Sequence, residues 1–163
     1  MGAKKSVSKI AAAAATSSVV WPEFVEQNGN LFLAGHTPRH RSKAGARPVD
    51  GLDNTGREAF HNHLHVLEVF GGSRDVWDGR RNRFRRSHAD FRAADRVGRT
   101  LAAAWFAKLR RDFPDQPFRV YYSSQDDPTV RFHRVYSDEP VWLDETGRVE
   151  NRDLVVYDSP TAR

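Results

Sequence analysis

The chain has 163 residues, 39% of them hydrophobic, which suits one ordinary domain with a sizeable core. It holds no cysteine, so disulfides, iron–sulfur clusters and thiolate zinc sites are excluded and any metal ligand has to be His, Asp or Glu. The net charge of +5 is uneven: residues 1–125 carry 21 lysines and arginines against 12 acidic residues, and residues 126–163 carry 5 against 9.

The basic part is a candidate anion-binding surface. Arginines outnumber lysines 21 to 5, a bias that GC-rich coding produces without selection for binding, so the placement of arginines has to carry the argument rather than their number. No apolar run approaches the roughly 20 residues that span a bilayer, and Ile10 to Ala15 is too short for a secretory signal. The expectation is a cytoplasmic protein with no transmembrane segment and no cofactor.

Residues 1–18 (MGAKKSVSKIAAAAATSS) are basic, then alanine-rich, then small and polar, and are expected to be a disordered tail or a frayed helix. Met1-Gly2-Ala3-Lys4-Lys5-Ser6 fits the short myristoylation pattern, although such matches arise often by chance. The folded part is expected over 19–158. Strands are predicted at 19–27 and 30–34 around Asn28-Gly29, because both central residues of a type I′ hairpin turn need positive φ. Gly35 to Gly56 then forms a long basic loop carrying His36, Arg39, His40, Arg41, Lys43 and Arg47.

Phe60-His61-Asn62-His63-Leu64-His65-Val66-Leu67-Glu68-Val69-Phe70 reads as a strand with histidines at alternate positions. A second basic connection over 72–86 holds Trp77 and Arg80-Arg81-Asn82-Arg83-Phe84-Arg85-Arg86. A long helix is predicted over about 88–112, capped by Ser87 with Asp90, closed by Phe113-Pro114, and striped by Phe91, Ala94, Val97, Gly98, Leu101, Ala102, Trp105 and Leu109. Arg92, Arg96, Arg99 and Arg110 fall on its back, as charges on a solvated helix face normally do. Strands at 118–123 and 129–136 form a second hairpin around Gln125-Asp126-Asp127-Pro128. Short strands at 141–143 and 154–157 follow, separated by a turn at Asp144 to Gly147. The pattern argues an α+β fold: one domain with a mainly antiparallel sheet of about six strands, packed on one face by the long helix.

Strand alternation assigns Asn62, Leu64, Val66, Glu68 and Phe70 to one side of the histidine strand and His61, His63, His65, Leu67 and Val69 to the other. If the strands share a sheet, the face away from the helix gathers His61, His63, His65, Arg119, Tyr121, Arg131 and His133. Such a cationic and aromatic surface binds phosphates and stacks bases. With the loop arginines Arg80, Arg81, Arg83, Arg85 and Arg86, it makes a module for an anionic partner, RNA or DNA, the leading expectation. A metal site fits less well, since His61 and His65 lie roughly 13 Å apart along a strand and no third ligand is placed.

Two alternatives stand beside the binding module. His63 or His65 with His133 and Arg131 has the acid, base and anion clamp of a metal-independent ribonuclease. A protein-interaction module would use Trp77 and Trp142 as anchors, or the acidic Asp138-Glu139 and Asp144-Glu145. His61-Asn62-His63 spells HNH in letters only, because HNH nucleases distribute those residues over a ββα unit. The chain has no Gly-rich phosphate loop, no G-x-S-x-G and no H-E-x-x-H.

Overall fold

The structure, a computed structural model, describes residues 9–35, 51–143 and 153–159. The Met1-to-Ser6 pattern, the basic loop residues from His36 to Arg47 and the turn at Asp144 to Gly147 lie outside the described residues. The fold is α+β, with antiparallel strands and one 24-residue helix packed on a sheet.

An alanine-rich sequence favours helix, and helix α1 runs Lys9–Val20. It therefore takes in Val19 and Val20, which were expected in a strand. Trp21 precedes Pro22 and so is biased away from helical backbone, which ends α1 there. Strand β1 (Phe24–Gln27) pairs with β2 (Asn30–Leu33) through Asn28 and Gly29, both at positive φ as a type I′ turn demands.

Helix α2 (Asn54–His61) stands where the loop and the start of the histidine strand were expected. Two carboxylates hold its first turn: the Asp53 side chain accepts from the Gly56 N–H at 2.7 Å, and Glu139 accepts from the Asn54 and Thr55 N–H groups at 3.1 and 2.6 Å. Burial acts to raise the Glu139 pKa, but these hydrogen bonds outweigh it and hold the group below the ordinary carboxylate range. Strand β3 is only His63–His65, after which helix α3 (Val66–Val69) forms one turn. The alternation consequently fails beyond His65. Val66 and Leu67 are both buried, whereas Phe70, expected in the core, is exposed.

A 3-10 turn at Arg74–Val76 leads into the short hairpin of β4 (Trp77–Asp78) and β5 (Arg83–Phe84). Helix α4 (Ala89–Asp112) follows the predicted limits closely, but its N-cap is His88 rather than Ser87. The His88 ring accepts from the Asp90 N–H at 3.2 Å, and the Asp90 carboxylate turns away to accept from the Ser73 N–H at 2.8 Å. Strands β6 (Phe118–Ser123), β7 (Thr129–Arg134) and β8 (Leu154–Asp158) complete a four-stranded antiparallel sheet in the order β3-β7-β6-β8. Val141 to Leu143, predicted as a strand, is not one.

The core lies between α4 and one face of this sheet. Phe91, Ala94, Leu101, Ala102, Trp105 and Leu109 meet Leu64, Phe118, Val120, Tyr122, Val130 and Phe132, all buried. Gly98 sets the helix-to-sheet distance, since a Cβ there would stand 2.2 Å from a ring carbon of Tyr122. The Tyr122 hydroxyl donates to Asp95 at 2.7 Å, which keeps the ring from withdrawing.

The β1–β2 hairpin is joined to this sheet by two side chains one turn apart on α2. Glu58 is fully buried and accepts from the Leu31 N–H at 2.7 Å, the Arg134 N–H at 2.6 Å and the Tyr136 hydroxyl at 2.8 Å. Asn62 donates to the Leu31 carbonyl at 2.7 Å and accepts from the Leu33 N–H at 2.9 Å, serving β2 as a neighbouring strand would. Burial lifts the Glu58 pKa above its ordinary value despite the donors and the Arg134 charge, which pull it down.

Two outcomes follow from this packing. Glu58→Ala strands two backbone donors and a tyrosine hydroxyl, and should lower unfolding free energy by about 3 kcal/mol or more in urea denaturation. Gly98→Ala, which in an open helix gains roughly 1 kcal/mol, should instead cost about 1–3 kcal/mol in the same assay because the added methyl overlaps Tyr122.

Candidate anion-binding site

The sheet face away from α4 is where the strand registers bring the candidate residues together. His63 lies opposite Arg131 and His65 opposite Thr129, while across the other edge of β7 Tyr121 lies opposite Arg131 and Arg119 opposite His133. With alternate residues on opposite sides of each strand, His63, His65, Arg119, Tyr121, Arg131 and His133 share one face, as the parity argument expected. His61 does not belong to it through a strand. It sits half-buried in the last turn of α2, its ring edge-on to Phe32 at 5.7 Å and to Phe60 at 5.3 Å. Burial, then the charges of His63 and Arg57, hold its pKa below the usual histidine value.

Sharing a face does not make these groups accessible, and here the expected open platform is corrected. His133 is 1% exposed and Tyr121 2%. The His133 Nδ1 meets the Arg134 carbonyl at 2.7 Å, and a carbonyl only accepts, so Nδ1 carries the proton and Nε2 is left to accept from the Tyr121 hydroxyl at 3.2 Å. Arg119 is ion-paired with Asp158, which raises its pKa further. These three side chains are therefore engaged within the fold.

Three candidates are only partly buried. Arg131 is half-buried, with its guanidinium 5.0 Å over the ring of Trp142, and no carboxylate pairs with it among the described residues. Burial lowers its pKa, as expected for a cation short of a counter-ion. Next to it, the His65 Nδ1 lies 2.8 Å from Asp127 Oδ2 and 3.2 Å from Thr129 Oγ1, and the Thr129 hydroxyl itself donates to the Asp127 carbonyl at 2.9 Å. Because the carboxylate only accepts, Nδ1 is the N–H and Nε2 faces away from the network. Burial pushes the Asp127 pKa up, with the His65 hydrogen bond opposing it. His63 directs its own Nδ1 at the Phe60 carbonyl, and its ring stands 5.0 Å from that of His65 at nearly right angles. Among the described residues no group of three His, Asp or Glu could hold an ion.

The arginine run forms a second cationic surface on the β4–β5 hairpin. Trp77 packs edge-on against Phe84 at 4.9 Å yet stays 41% exposed. Arg86 is clamped by Asp153 through two hydrogen bonds, at 2.7 and 2.5 Å, and Arg85 stands 3.8 Å from Asp78. Arg80, Arg81 and Arg83 are exposed and have no ion-pair partner among the described residues. Together with Trp77, Gln125 and Asp126 they line one open groove.

Sequence pattern alone does not single out Asp127 or Thr129 as partners of His65, or Phe60 as an exposed ring beside the histidines. An Asp-Pro turn facing a histidine strand was the available signal. Trp142, expected as an interface anchor, is instead half-buried against Arg131, and Glu139 is a helix cap; Asp144 and Glu145 lie outside the described residues. No protein-family model matches the chain, and no characterised protein or solved structure is significantly similar to it. Among the described residues no helix is long and apolar enough to cross a membrane.

His133 has a measurable signature. A histidine whose folded-state pKa is lowered contributes stability that is present above its unfolded value, about 6.5, and lost as pH falls through that value toward the folded one. His61 acts in the same sense, whereas Glu58, with its raised pKa, loses stability as pH rises out of the ordinary carboxylate range. His133→Gln should therefore lower stability at pH 7 but show a smaller further loss between pH 7 and 5 than the parent chain. Parallel losses in the two proteins would mean that His133 takes up its proton readily in the folded state.

Proposed function

We propose that this protein binds a nucleic acid, chiefly through the β4–β5 hairpin. The observation that supports the reading is the set Arg80, Arg81 and Arg83, exposed and without carboxylate partners among the described residues, beside the exposed indole of Trp77. Arginines so placed meet phosphate oxygens and release condensed counterions, which supplies affinity without reading sequence. An exposed tryptophan adds a stacking surface for an unpaired base, worth about 1–3 kcal/mol per base, so single strands are favoured over duplex. Arg131 on the sheet face offers a further place for a phosphate, since a partly desolvated guanidinium gains most from an anion where, as here among the described residues, no carboxylate pairs with it. The same hairpin could meet an acidic protein surface; what sets the nucleic-acid reading ahead is the aromatic ring among the arginines.

Fluorescence anisotropy against a single-stranded oligonucleotide should show affinity falling steeply with salt. The triple variant Arg80→Ala, Arg81→Ala, Arg83→Ala should flatten the log–log slope by about 0.7 for each phosphate no longer neutralised. Trp77→Ala should weaken binding about tenfold and leave the slope nearly unchanged. No binding at low salt, or a slope indifferent to the three arginines, would rule the proposal out.

A further inference from the structure

We infer that Asp126 makes the arginine groove selective for an unpaired guanine, recognised by its Watson–Crick edge. The inference rests on the nucleic-acid reading and adds base selectivity to it. Two walls form the groove: the β4–β5 hairpin supplies Trp77 and the arginines, and the turn between β6 and β7 supplies Gln125 and Asp126. Asp153 ties one wall to the other, since its carboxylate clamps Arg86 at 2.7 and 2.5 Å while its carbonyl accepts from the Ser124 N–H at 2.8 Å. Trp77 is fixed within the hairpin wall by its pairing with Phe84 and by the Arg85 N–H, which donates to the Val76 carbonyl at 2.7 Å. The groove is therefore preformed, which lowers the cost of binding in it. Its volume of about 1450 Å³ exceeds that of a site for one small molecule and suits a run of nucleotides.

The choice of guanine follows from an acidic side chain in a groove for a polyanion. Among the described residues that line it, Asp78 and Asp126 are the acidic ones. Asp78 is engaged within the hairpin, accepting from the Arg81 N–H at 3.3 Å and standing 3.8 Å from Arg85. Asp126 is exposed, and among the described residues no hydrogen bond or ion pair engages its carboxylate. It repels phosphates, so a strand that lies in the groove meets it with the bases. A carboxylate accepts and does not donate. Guanine presents two donors side by side on its Watson–Crick edge, N1–H and the N2 amino group, and these match the two carboxylate oxygens. Adenine and cytosine offer one amino group beside an acceptor nitrogen, which the carboxylate repels, and thymine and uracil offer one N–H between two carbonyls. Base pairing hides this edge and a single strand exposes it, in keeping with the preference for single strands argued from Trp77.

The test titrates the intact protein with fluorescent oligothymidylates carrying one central guanine, adenine or cytosine, and with the corresponding ribo strands built on uracil. EDTA is present, so that no divalent ion bridges the carboxylate to a phosphate. The guanine strand should bind about tenfold more tightly than the others in both sugar series, since the carboxylate meets the base and not the ribose. Inosine, which lacks the N2 amino group, should lose most of that gain, and 7-deazaguanine, which keeps the Watson–Crick edge, should retain it. Asp126→Asn should bring the guanine strand to within about twofold of the adenine strand, because its amide sets a donor against the donors of guanine. Asp126→Ala serves as a second variant, and circular dichroism checks the folding of both. Loss of the preference with 7-deazaguanine would assign the recognition to an arginine on the N7 and O6 acceptors and overturn the inference. A guanine preference that survives both substitutions, or that only one sugar series shows, does the same. Salt-dependent binding that treats every base alike sinks the selectivity and leaves the binding reading intact. Failure of every strand to bind at low salt removes both.

Discussion

The structure depends on one carboxylate with three donors. Glu58 sits where three pieces of chain would otherwise leave polar groups unmet: the β2 backbone at Leu31, the β7 backbone at Arg134, and the Tyr136 hydroxyl. An unpaired buried donor costs about 1–3 kcal/mol, so satisfying three at one point offsets much of the penalty of burying the carboxylate itself. Asn62, one turn later, completes the junction by bonding β2 with its side chain while its carbonyl accepts from the Phe132 N–H of β7 at 3.3 Å. The consequence reaches the functional face. β3 leaves α2 directly after Asn62, so the geometry that ties the hairpin to the sheet also sets the register of His63 opposite Arg131 and of His65 opposite Thr129.

The pairing of charged and polar side chains with one another separates the structural groups from those open to a ligand. Glu58, His133 with Tyr121, and Arg119 with Asp158 each have their partners within the fold. Arg131 differs, being partly buried, stacked on Trp142 and short of a carboxylate among the described residues. Buried polar networks that are fully satisfied rigidify a structure, whereas an unsatisfied charge raises the affinity of its site for the missing counter-ion. The arginine hairpin repeats the division at the surface, with Arg86 and Arg85 facing acidic partners and, among the described residues, Arg80, Arg81 and Arg83 not.

Both cationic surfaces meet at one end of the sheet. The turn between β6 and β7 contributes Gln125 and Asp126 to the wall of the arginine groove, and its next residues, Asp127 and Thr129, hold the His65 ring. The two carboxylates in this turn have different tasks: Asp126 is exposed, and Asp127 is fixed against His65.

Elements with a strong period were legible in the sequence. The apolar stripe of α4 marked the longest helix and its buried face because 3.6-residue spacing admits one orientation against a core, and Asn28-Gly29 marked the first turn because so few residues tolerate positive φ. Strand parity likewise placed His63, His65, Arg131, Tyr121 and His133 on one face, since alternation is a local property of an extended chain. Tertiary structure decided the rest. A helix of only eight residues with Gly56 in its first turn is too short to carry a repeat that stands out in the sequence, and α2 forms because Glu139, 85 residues away from Asn54, caps it and because Glu58 finds donors on two strands. Which members of the shared face are reachable was also beyond local pattern. The burial of His133 and Tyr121, the pairing of Arg119 and the lack of a carboxylate beside Arg131 among the described residues all depend on what distant segments bring against the sheet, and residue spacing within a strand carries no record of that.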